Sequence, residues 1–299
     1  MKLYIHVAKE NWILDRIASE FSHRWGEHVT TDPRKADVVW MLSPTPVNDL
    51  GTPVIATIQH IDETKYNPSF YSALDSSVTS YHTPCSKTKA FMESRKEFTK
   101  DITVLPYWVN TGLWYSAPKE ASRALVNAPA DKYIIGSFQR DTEGSDLVSP
   151  KLSKGPDRFC DYVERVCSLR DDVHVLLGGW RRQYVIKRLT DKGIPFTYLE
   201  KPSTQKVNLM YNACDLYVVG SRYEGGPQAI LECAATRTPI VSSDVGIADE
   251  ILHPNCVVDI ENTIHFPSKE EVDYAYNRVM ERTLDSELGY IEFFQKSIK

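Results

Sequence analysis

Short apolar runs alternate with amphipathic segments along the whole chain of 299 residues. Runs with apolar side chains at successive positions suit strands that are covered on both faces, as in a parallel sheet between layers of helices. The pattern therefore predicts an α/β protein. Strands are predicted at residues 3–7, 38–42, 54–58, 77–80, 103–105, 133–138, 173–177, 196–199, 216–219 and 240–242. Helices are predicted at residues 12–21, 87–98, 158–169, 182–192 and 227–235.

A stretch that contains several prolines and alanines, residues 116–130, separates these strands into two series. Such a composition suits a linker. We therefore predict two Rossmann-like domains, residues 1–117 and 118–272, whose parallel sheets face a central cleft. Apolar residues recur at helical spacing between 268 and 282, so residues 273–299 are predicted to be a helical tail that can pack back on the first domain.

The charge balance excludes one class of partner. The chain carries a formal net charge of −5, so its charge does not favour binding to a nucleic acid, which is a polyanion. Small ligands that carry phosphate remain possible, because a local basic pocket can form on an acidic protein.

Cysteine usage and hydropathy indicate the compartment. None of the six cysteines belongs to a C-x-x-C pair, which favours buried free thiols in a reducing environment. The first residues read directly as a strand without a signal peptide before it, and no apolar run approaches the length of a membrane span. We therefore expect a cytoplasmic protein.

The most informative stretch joins the predicted strand 216–219 to an apolar helix. Glu224 lies in the connecting loop, and Pro227 suits the first turn of the helix. Gly225 and Gly226 let the backbone approach a ligand closely. Because the start of a helix presents free N–H groups and a positive dipole end, it favours an anion. The stretch is expected to receive a pyrophosphate or a sugar hydroxyl.

Glu232 is the only polar residue between Ala229 and Ala235. A carboxylate in such an apolar helix costs several kcal/mol unless it accepts hydrogen bonds. Paired ribose hydroxyls would satisfy it, and so would a partner inside the protein, such as a backbone amide or an arginine. The sequence leaves both alternatives open.

Glu224 and Glu232 stand in an E-x7-E arrangement, and the segment around them resembles the donor-binding motif of the family-4 glycosyltransferases, which have the GT-B fold. Residues 238–246 are similar to that family's G-x-P-V-V-A-S-x-V-G-G, and residues 104–110 resemble its interdomain V-I-P-N-G-V-D. The resemblance is strong from about residue 130 to 252.

Two residues and one loop segment depart from the family pattern. Arg237 replaces a glycine after the apolar helix, and Ile247 replaces the second glycine of the V-G-G turn. Residues 8–11 replace a Gly-Gly loop after the first strand. These departures concern the shape of local loops.

The resemblance implies roles for the donor-side residues. Glu224 would contact hydroxyls of the transferred sugar, with amides of Gly225 and Gly226 nearby. Glu232 would hold the ribose of the nucleotide.

Nucleoside and phosphate contacts follow from the same resemblance. Residues near Tyr198 and Leu199 would contact the base. Arg140 and Lys154 match two cations that bind the donor's diphosphate in the family, and Lys151 is the alternative to Lys154 for this role. Preorganised cations stabilise the charge that builds on the leaving pyrophosphate, and the sequence lacks a D-x-D where a divalent ion would be expected. We therefore expect no metal and no cofactor.

Two segments near these cations allow alternatives. The loop 141–153 can act as a lid, although a solvated loop is favoured. Residues 178–182 can add phosphate contacts, although a solvent-exposed turn is favoured.

In the first domain, His60 follows the predicted strand 54–58. Relatives often carry a histidine there, which implies a hydrogen bond to a donor hydroxyl or to the nucleophile, although a structural role is the alternative. His6 and His82 are assigned to packing. The basic segment 87–100 allows peripheral contact with a membrane, but its glutamates favour a solvated face.

The resemblance implies a retaining transfer of sugar from a nucleotide diphosphate sugar to a hydroxyl group of a glycan, a lipid-linked acceptor or a protein. A non-transferring nucleotide-sugar-binding protein and a GT-B epimerase are the alternatives. A dinucleotide-dependent oxidoreductase is not supported, because no G-x-G-x-x-G follows the first strand.

Overall fold

Two five-stranded parallel sheets organise the chain in the computed structural model, which describes residues 1–8, 13–48 and 51–298. The first unit comprises the chain up to Tyr107 together with the residues from Leu284 onwards, and the second unit spans Trp108–Thr283. The predicted loop residues 9–11 and the predicted helix start at Trp12 lie outside the described residues.

Strands and helices alternate in both units, as the apolar pattern predicts. The strands are β1 (Leu3–His6), β2 (Val38–Met41), β3 (Val54–Thr57), β4 (Ser80–Thr83), β5 (Ile102–Val104), β6 (Tyr133–Ser137), β7 (Val173–Gly179), β8 (Phe196–Glu200), β9 (Leu216–Val219) and β10 (Ile240–Ser242). The helices are α1 (Ile13–Arg24), α2 (Pro68–Asp75), α3 (Ser86–Glu93), α4 (Lys119–Leu125), α5 (Pro156–Cys167), α6 (Gln183–Asp191), α7 (Thr204–Ala213), α8 (Gln228–Thr236), α9 (Ala248–Ile251), α10 (Lys269–Met280) and α11 (Tyr290–Lys296). No helix in the described part of the chain is both long and apolar enough to cross a membrane.

The prediction for the fourth strand is displaced. Residues 77–80 were expected to form it, whereas β4 begins at Ser80. Ser77 instead finishes the turn after α2, because its hydroxyl donates to the carbonyl oxygen of Leu74 at 2.8 Å. Thr79 bonds to the first residue of β3 through both its backbone and its side chain, because its N donates to the carbonyl oxygen of Val54 at 2.8 Å and its Oγ1 accepts from Val54 N at 3.1 Å.

The first sheet has the order β1-β2-β3-β4-β5 and is covered on both faces. Successive side chains of β2 point to opposite faces, and Trp40 faces α1 and α11. Its ring lies 5.2 Å from those of Phe21 in α1 and Phe294 in α11. Tyr290 of α11 also packs on Trp40, at 5.6 Å. The end of the chain therefore completes the core of the first unit.

The units divide at positions that differ from the predicted domain boundaries of 117/118 and 272/273. The residues after Tyr107 lie on α7 of the second unit, where Trp114 packs on Tyr211 with 5.8 Å between ring centroids and Ala117 N donates to Asn212 Oδ1 at 2.7 Å. At the other boundary α10 belongs to the second unit, and its Asp273 pairs with Arg237 after α8.

The second sheet has the order β10-β9-β6-β7-β8. Helices α5 and α6 pack on one face, whereas α7 and the segment after α4 pack on the other. The chain proceeds from β6 to β7 and β8 on one side, and β9 and β10 lie on the other side of β6. This reversal between β6 and β9 is a topological switch point, where open α/β sheets bind ligands outside the carboxyl ends of the strands.

A buried chain of hydrogen bonds links β2, β3 and β4 of the first unit. Trp40 Nε1 donates to Thr57 Oγ1 at 2.7 Å, and Thr57 Oγ1 lies 2.9 Å from His82 Nδ1. His82 Nε2 lies 2.9 Å from the carbonyl oxygen of Leu105, which can only accept, so Nε2 carries the proton and the Thr57 hydroxyl donates to Nδ1. The neutral ring is thus satisfied, and burial lowers the pKa of His82 to about 4.

We expect the first unit to lose stability in mild acid because of His82. The unfolded chain takes up a proton near the ordinary pKa of 6.5, whereas the folded chain resists protonation until about pH 4. The free energy of unfolding should therefore fall as the pH is lowered through this window, by about 3 kcal/mol in total. Urea denaturation at a series of pH values measures this. His82→Gln keeps both hydrogen-bonding roles without titrating, so an unchanged pH dependence in this variant would contradict the assignment.

Candidate functional site

Two loops meet at the switch point of the second sheet. The β6 loop (residues 138–155) connects β6 to α5, and the β9 loop (residues 220–227) connects β9 to α8. Arg222 N donates to the carbonyl oxygen of Ser153 at 2.8 Å, which joins the two loops through their backbones. The side chain of Arg222 strengthens the junction with a two-pronged pair to Asp157, at 2.8 and 2.6 Å.

Close contact between two glycines sets the approach of these loops. Gly155 has a left-handed φ of +61°, and a Cβ atom placed on it would lie 1.9 Å from the carbonyl oxygen of Gly220. Only glycine fits at this position. The first turn of α5 is therefore held against the end of β9.

A second close contact between two glycines restricts the position of the β9 loop. Gly246 follows β10 with a φ of +51°, and a Cβ atom on it would lie 2.0 Å from the carbonyl oxygen of Gly225. Gly225 and Pro227 are buried, and Gly226 is half-buried. Pro227 is the residue immediately before α8 and not within its first turn as predicted.

The sequence-predicted residues Lys154 and Glu224 form an ion pair across the two loops. Lys154 Nζ donates to Glu224 Oε1 at 2.5 Å, and Ser221 Oγ lies 3.2 Å from the same oxygen. The Lys154 side chain is 23% exposed and that of Glu224 is 11% exposed. The pair is therefore screened from bulk water but remains within reach of a ligand.

Arg140 and Lys151 lie in the same cluster as Lys154. Burial lowers the pKa of Lys151, and the positive charges of Lys154 and Arg140 lower it further, whereas Glu224 opposes this shift. Arg140 is held in place because its Nε donates to the carbonyl oxygen of Thr142 at 2.8 Å. Lys151 thus lies close enough to Lys154 and to Arg140 to be repelled by both, which is an arrangement that a bound polyanion would stabilise.

The expectation of a solvent-exposed turn at residues 178–182 is wrong for Arg182, whose side chain is fully buried. Its Nε donates to Asp141 Oδ2 at 3.0 Å, and its Nη1 donates to the carbonyl oxygens of Ser137 and Gly178 at 2.6 and 2.8 Å. Burial raises the pKa of Asp141, although Arg182 opposes the shift. The pair ties the ends of β6 and β7 to the base of the β6 loop.

The rest of the β6 loop folds on itself. Thr142 and Pro150 form an isolated antiparallel bridge, and Lys151 N donates to the carbonyl oxygen of Asp141 at 2.8 Å. Asp146 caps the tip by accepting from Val148 N at 3.0 Å. Residues 144–149 are exposed, as expected for a solvated loop.

Glu232 has a partner inside the protein, which was one of the two alternatives that the sequence left open, and this partner is a tyrosine. It is 6% exposed on α8, and the hydroxyl of Tyr211 on α7 donates to its Oε2 at 2.8 Å. The Tyr211 ring lies 5.0 Å from that of Phe138, the first residue of the β6 loop. The carboxylate is therefore oriented by a buried tyrosine that also contacts the loop of the cations.

Tyr198 and Leu199, the predicted base contacts, lie on opposite faces of the second sheet. Tyr198 packs with the core under α5 and α6, and its hydroxyl donates to the carbonyl oxygen of Gly179 at 3.0 Å. Leu199 packs with Phe138 on the face covered by α7. Leu199 thus shares a face with Tyr211, the partner of Glu232, whereas the Tyr198 side chain points away from it.

Two other positions have defined surroundings. Arg237, which replaces a glycine of the family pattern, still adopts the left-handed conformation with a φ of +56°. Its guanidinium carbon lies 3.6 Å from the centroid of the Tyr276 ring, which supports the strained position. His60 lies in the first unit, half-buried after β3.

Comparisons with known proteins show similarity to glycosyltransferases. Residues 147–280 match the family model described as Glycosyl transferases group 1, a range that includes Lys154, Glu224 and Glu232. The lipopolysaccharide core biosynthesis mannosyltransferase LpsB of Rhizobium meliloti (strain 1021) is 28% identical over 140 residues, which are 44% of this chain. The matched part is only 37% of the length of that relative. Both findings support the prediction of a glycosyltransferase.

Solved structures identify the architecture. HepE of Anabaena in complex with UDP has a TM-score of 0.72 at 14% identity, covering 99% of this chain and 100% of that one. A glycosyltransferase from Rickettsia africae ESF-5 has a TM-score of 0.64 at 14% identity, covering 98% and 84%. The chain has the GT-B fold. The predicted fold of two Rossmann-like, parallel-sheet domains is thereby confirmed.

We expect Gly155→Ala to destabilise the GT-B chain much more than Gly193→Ala. Both glycines are left-handed, but a Cβ atom on Gly193 would meet nothing within 4 Å. Gly193→Ala should therefore cost only the backbone strain, about 1 kcal/mol. Gly155→Ala must also move the backbone of Gly220, which should add about 1–3 kcal/mol. Equal losses in urea denaturation would show that the contact between the loops is not tight.

Proposed function

We propose that the chain is a retaining, metal-independent glycosyltransferase of the family-4 type, which uses a nucleotide diphosphate sugar as donor. One observation carries the proposal. At the switch point of the second sheet, Lys154 pairs with Glu224 at 2.5 Å, and two further cations, Arg140 and Lys151, belong to the same cluster. A group of cations beside a carboxylate supports the proposal, because the cations suit a diphosphate and the carboxylate suits sugar hydroxyls.

The proposed donor lies along the carboxyl ends of β9 and β6. Its diphosphate would replace Glu224 as the partner of Lys154 and would also pair with Arg140 and Lys151. The negative charge of the diphosphate would reduce the electrostatic repulsion among the cations. Glu224 would then accept hydrogen bonds from hydroxyls of the transferred sugar. Backbone amides of Gly225 and Gly226, at the start of α8, would add favourable contacts to negative charge.

The proposed reaction makes one bond and breaks one. The oxygen of the acceptor hydroxyl bonds to the anomeric carbon, while the bond from that carbon to the diphosphate oxygen breaks. Attack occurs on the face from which the nucleotide leaves, so the configuration is retained, and the proton of the acceptor passes to an oxygen of the leaving diphosphate. Arg140 and Lys154 stabilise the negative charge that grows there, which is the role that a metal ion has in other transferases.

The nucleoside would lie beyond the carboxyl ends of the strands, on the side of the sheet where α7 lies. Glu232, oriented by Tyr211, would accept hydrogen bonds from the ribose, and Leu199 would contact the base. Uridine diphosphate sugars are the first donors to test, because HepE is described in complexes with UDP and with UDP-glucose. The latter complex has a TM-score of 0.68 at 13% identity.

The acceptor is proposed to carry a hydroxyl on a glycan, a lipid or a protein. The relative in Rhizobium meliloti is described as a lipopolysaccharide core mannosyltransferase, which favours a glycan for the first tests. His60 is proposed to hydrogen-bond to the incoming hydroxyl or to a donor hydroxyl. All six cysteines are free thiols, in accord with the proposed cytoplasmic location.

A screen of nucleotide sugars by thermal shift, followed by transfer assays without added Mg²⁺ or Mn²⁺, tests the proposal. A donor present at 100 times its Kd should stabilise the chain by about 2.7 kcal/mol. Transfer to an acceptor without added metal is the expected result. Binding without transfer or hydrolysis would instead indicate a nucleotide-sugar-binding protein, and conversion of the donor without any acceptor would indicate an epimerase.

We expect Lys154→Met to lower kcat by about 100- to 1000-fold, because it removes one cation from the developing charge on the leaving diphosphate. Steady-state kinetics with the preferred donor measures this. Lys187→Met is the matched control, since Lys187 is 71% exposed on α6 and pairs with Asp191. A kcat of Lys154→Met that stays near that of the control would exclude Lys154 from the reaction.

We expect Tyr211→Phe to weaken UDP binding about tenfold, because a buried carboxylate loses a hydrogen bond that orients it. Calorimetry with UDP and with inorganic pyrophosphate separates the nucleoside from the phosphates, and only UDP should bind more weakly. Burial and the Glu232 carboxylate hold the pKa of Tyr211 well above its usual range, so the loss should not depend on pH. Tyr133→Phe, at the amino end of β6, is the control. An equal loss for pyrophosphate would point to a general distortion.

A further inference from the structure

A second cluster of chemically reactive side chains lies at the opposite end of the second sheet. Cys256, His265 and Glu271 bring one potential metal-ligand atom each to within 4.8 Å of one another. A cavity beside them is also lined by Thr238 and Ile240, at the amino end of β10. The loops of the donor site lie at the carboxyl ends of the strands, so the cluster is separate from that site.

The Glu271 carboxylate is already oriented by its neighbours. Its Oε2 accepts from Ser268 N at 2.8 Å and from His265 Nε2 at 2.9 Å, and its Oε1 accepts from Asn255 Nδ2 at 2.8 Å. A second histidine is close, since His253 Nδ1 lies 3.6 Å from Oε1. The hydrogen bonds from Ser268 and Asn255 are of the kind that fix the orientation of metal-binding carboxylates.

Cys256 faces the interior of the same cluster. It is 3% exposed, and a cavity of about 10 Å³ borders Cys256, His253 and Glu271. That volume holds roughly one atom of the size of a water oxygen. Burial, together with the Glu271 carboxylate, raises the pKa of the Cys256 thiol to about 12. A cation that binds here must displace the thiol proton, which would pass to solvent.

We propose that Cys256, His265 and Glu271 bind a zinc ion. Thiolate, imidazole and carboxylate are the three protein ligand types of zinc. Tetrahedral coordination places ligand atoms about 3.5 Å apart, so ligand atoms that now lie within 4.8 Å of one another need to approach by about 1.3 Å at most. The ion would link the turn Pro254–Cys256, the segment around His265 and the first turn of α10.

Cobalt titration of the metal-stripped, full-length chain tests the site without reference to the proposed transferase activity. Wild-type protein should bind one Co²⁺ per chain with a thiolate-to-cobalt charge-transfer band, and Zn²⁺ should abolish that band. Cys256→Ser should lose the band, whereas Cys167→Ser, which alters a half-buried cysteine of α5, should keep it. Absence of the band in the wild type, or its survival in Cys256→Ser, overturns the proposal.

A stability measurement covers the case in which Cys256→Ser fails to fold. Zinc at 100 times its Kd should raise the Tm of the wild-type chain by about 5 °C or more. His265→Gln keeps a hydrogen-bond donor for Glu271 but removes a good ligand, so its Tm should rise by much less. Equal shifts in both proteins overturn the proposal. UDP affinity should be the same with and without zinc, because the donor loops lie at the other end of the sheet.

Discussion

The contact between the backbones of Gly155 and Gly220 is the constraint on which the candidate site depends. A Cβ atom at Gly155 would lie 1.9 Å from the carbonyl oxygen of Gly220, so the start of α5 and the end of β9 are in close backbone contact. Lys154 precedes this contact directly, and Glu224 follows it by four residues along the β9 loop. Their ion pair is therefore a consequence of where the backbone is placed.

Buried charges hold the surroundings of that contact rigid. Arg182 joins two strand ends to Asp141, and Tyr211 holds the carboxylate of Glu232. In a medium of low dielectric, a buried charged or polar group destabilises the folded state unless its partner is held in place. Each pair therefore restricts the position of the elements that carry it. This explains how an acidic protein can keep a group of cations at one edge of a sheet. The framework restricts their motion although like charges repel.

The sequence was informative where a local pattern determines structure, and much less where distant residues meet. Apolar runs located the strands closely, with the exception of β4, where the side chain of Thr79 takes the place of a backbone acceptor for Val54 N. The E-x7-E segment and the cations before α5 indicated the site. The Asp141–Arg182 pair and the Tyr211–Glu232 bond join residues 41 and 21 positions apart. No periodicity in the sequence indicates such partners. Arg182 was therefore predicted to be exposed to solvent, and Tyr211 was not considered as the partner of Glu232.

The path of the chain has a consequence for biosynthesis. The chain leaves the first unit after Tyr107 and returns to it at Leu284. The two ends of the second unit meet where Val109 N donates to the carbonyl oxygen of Arg282 at 2.8 Å. During translation the second unit can therefore be completed before the first one. Until α11 leaves the ribosome, Phe21 and Trp40 lack the aromatic rings that cover them in the finished protein. The nascent chain thus carries an apolar surface until α11 packs on it.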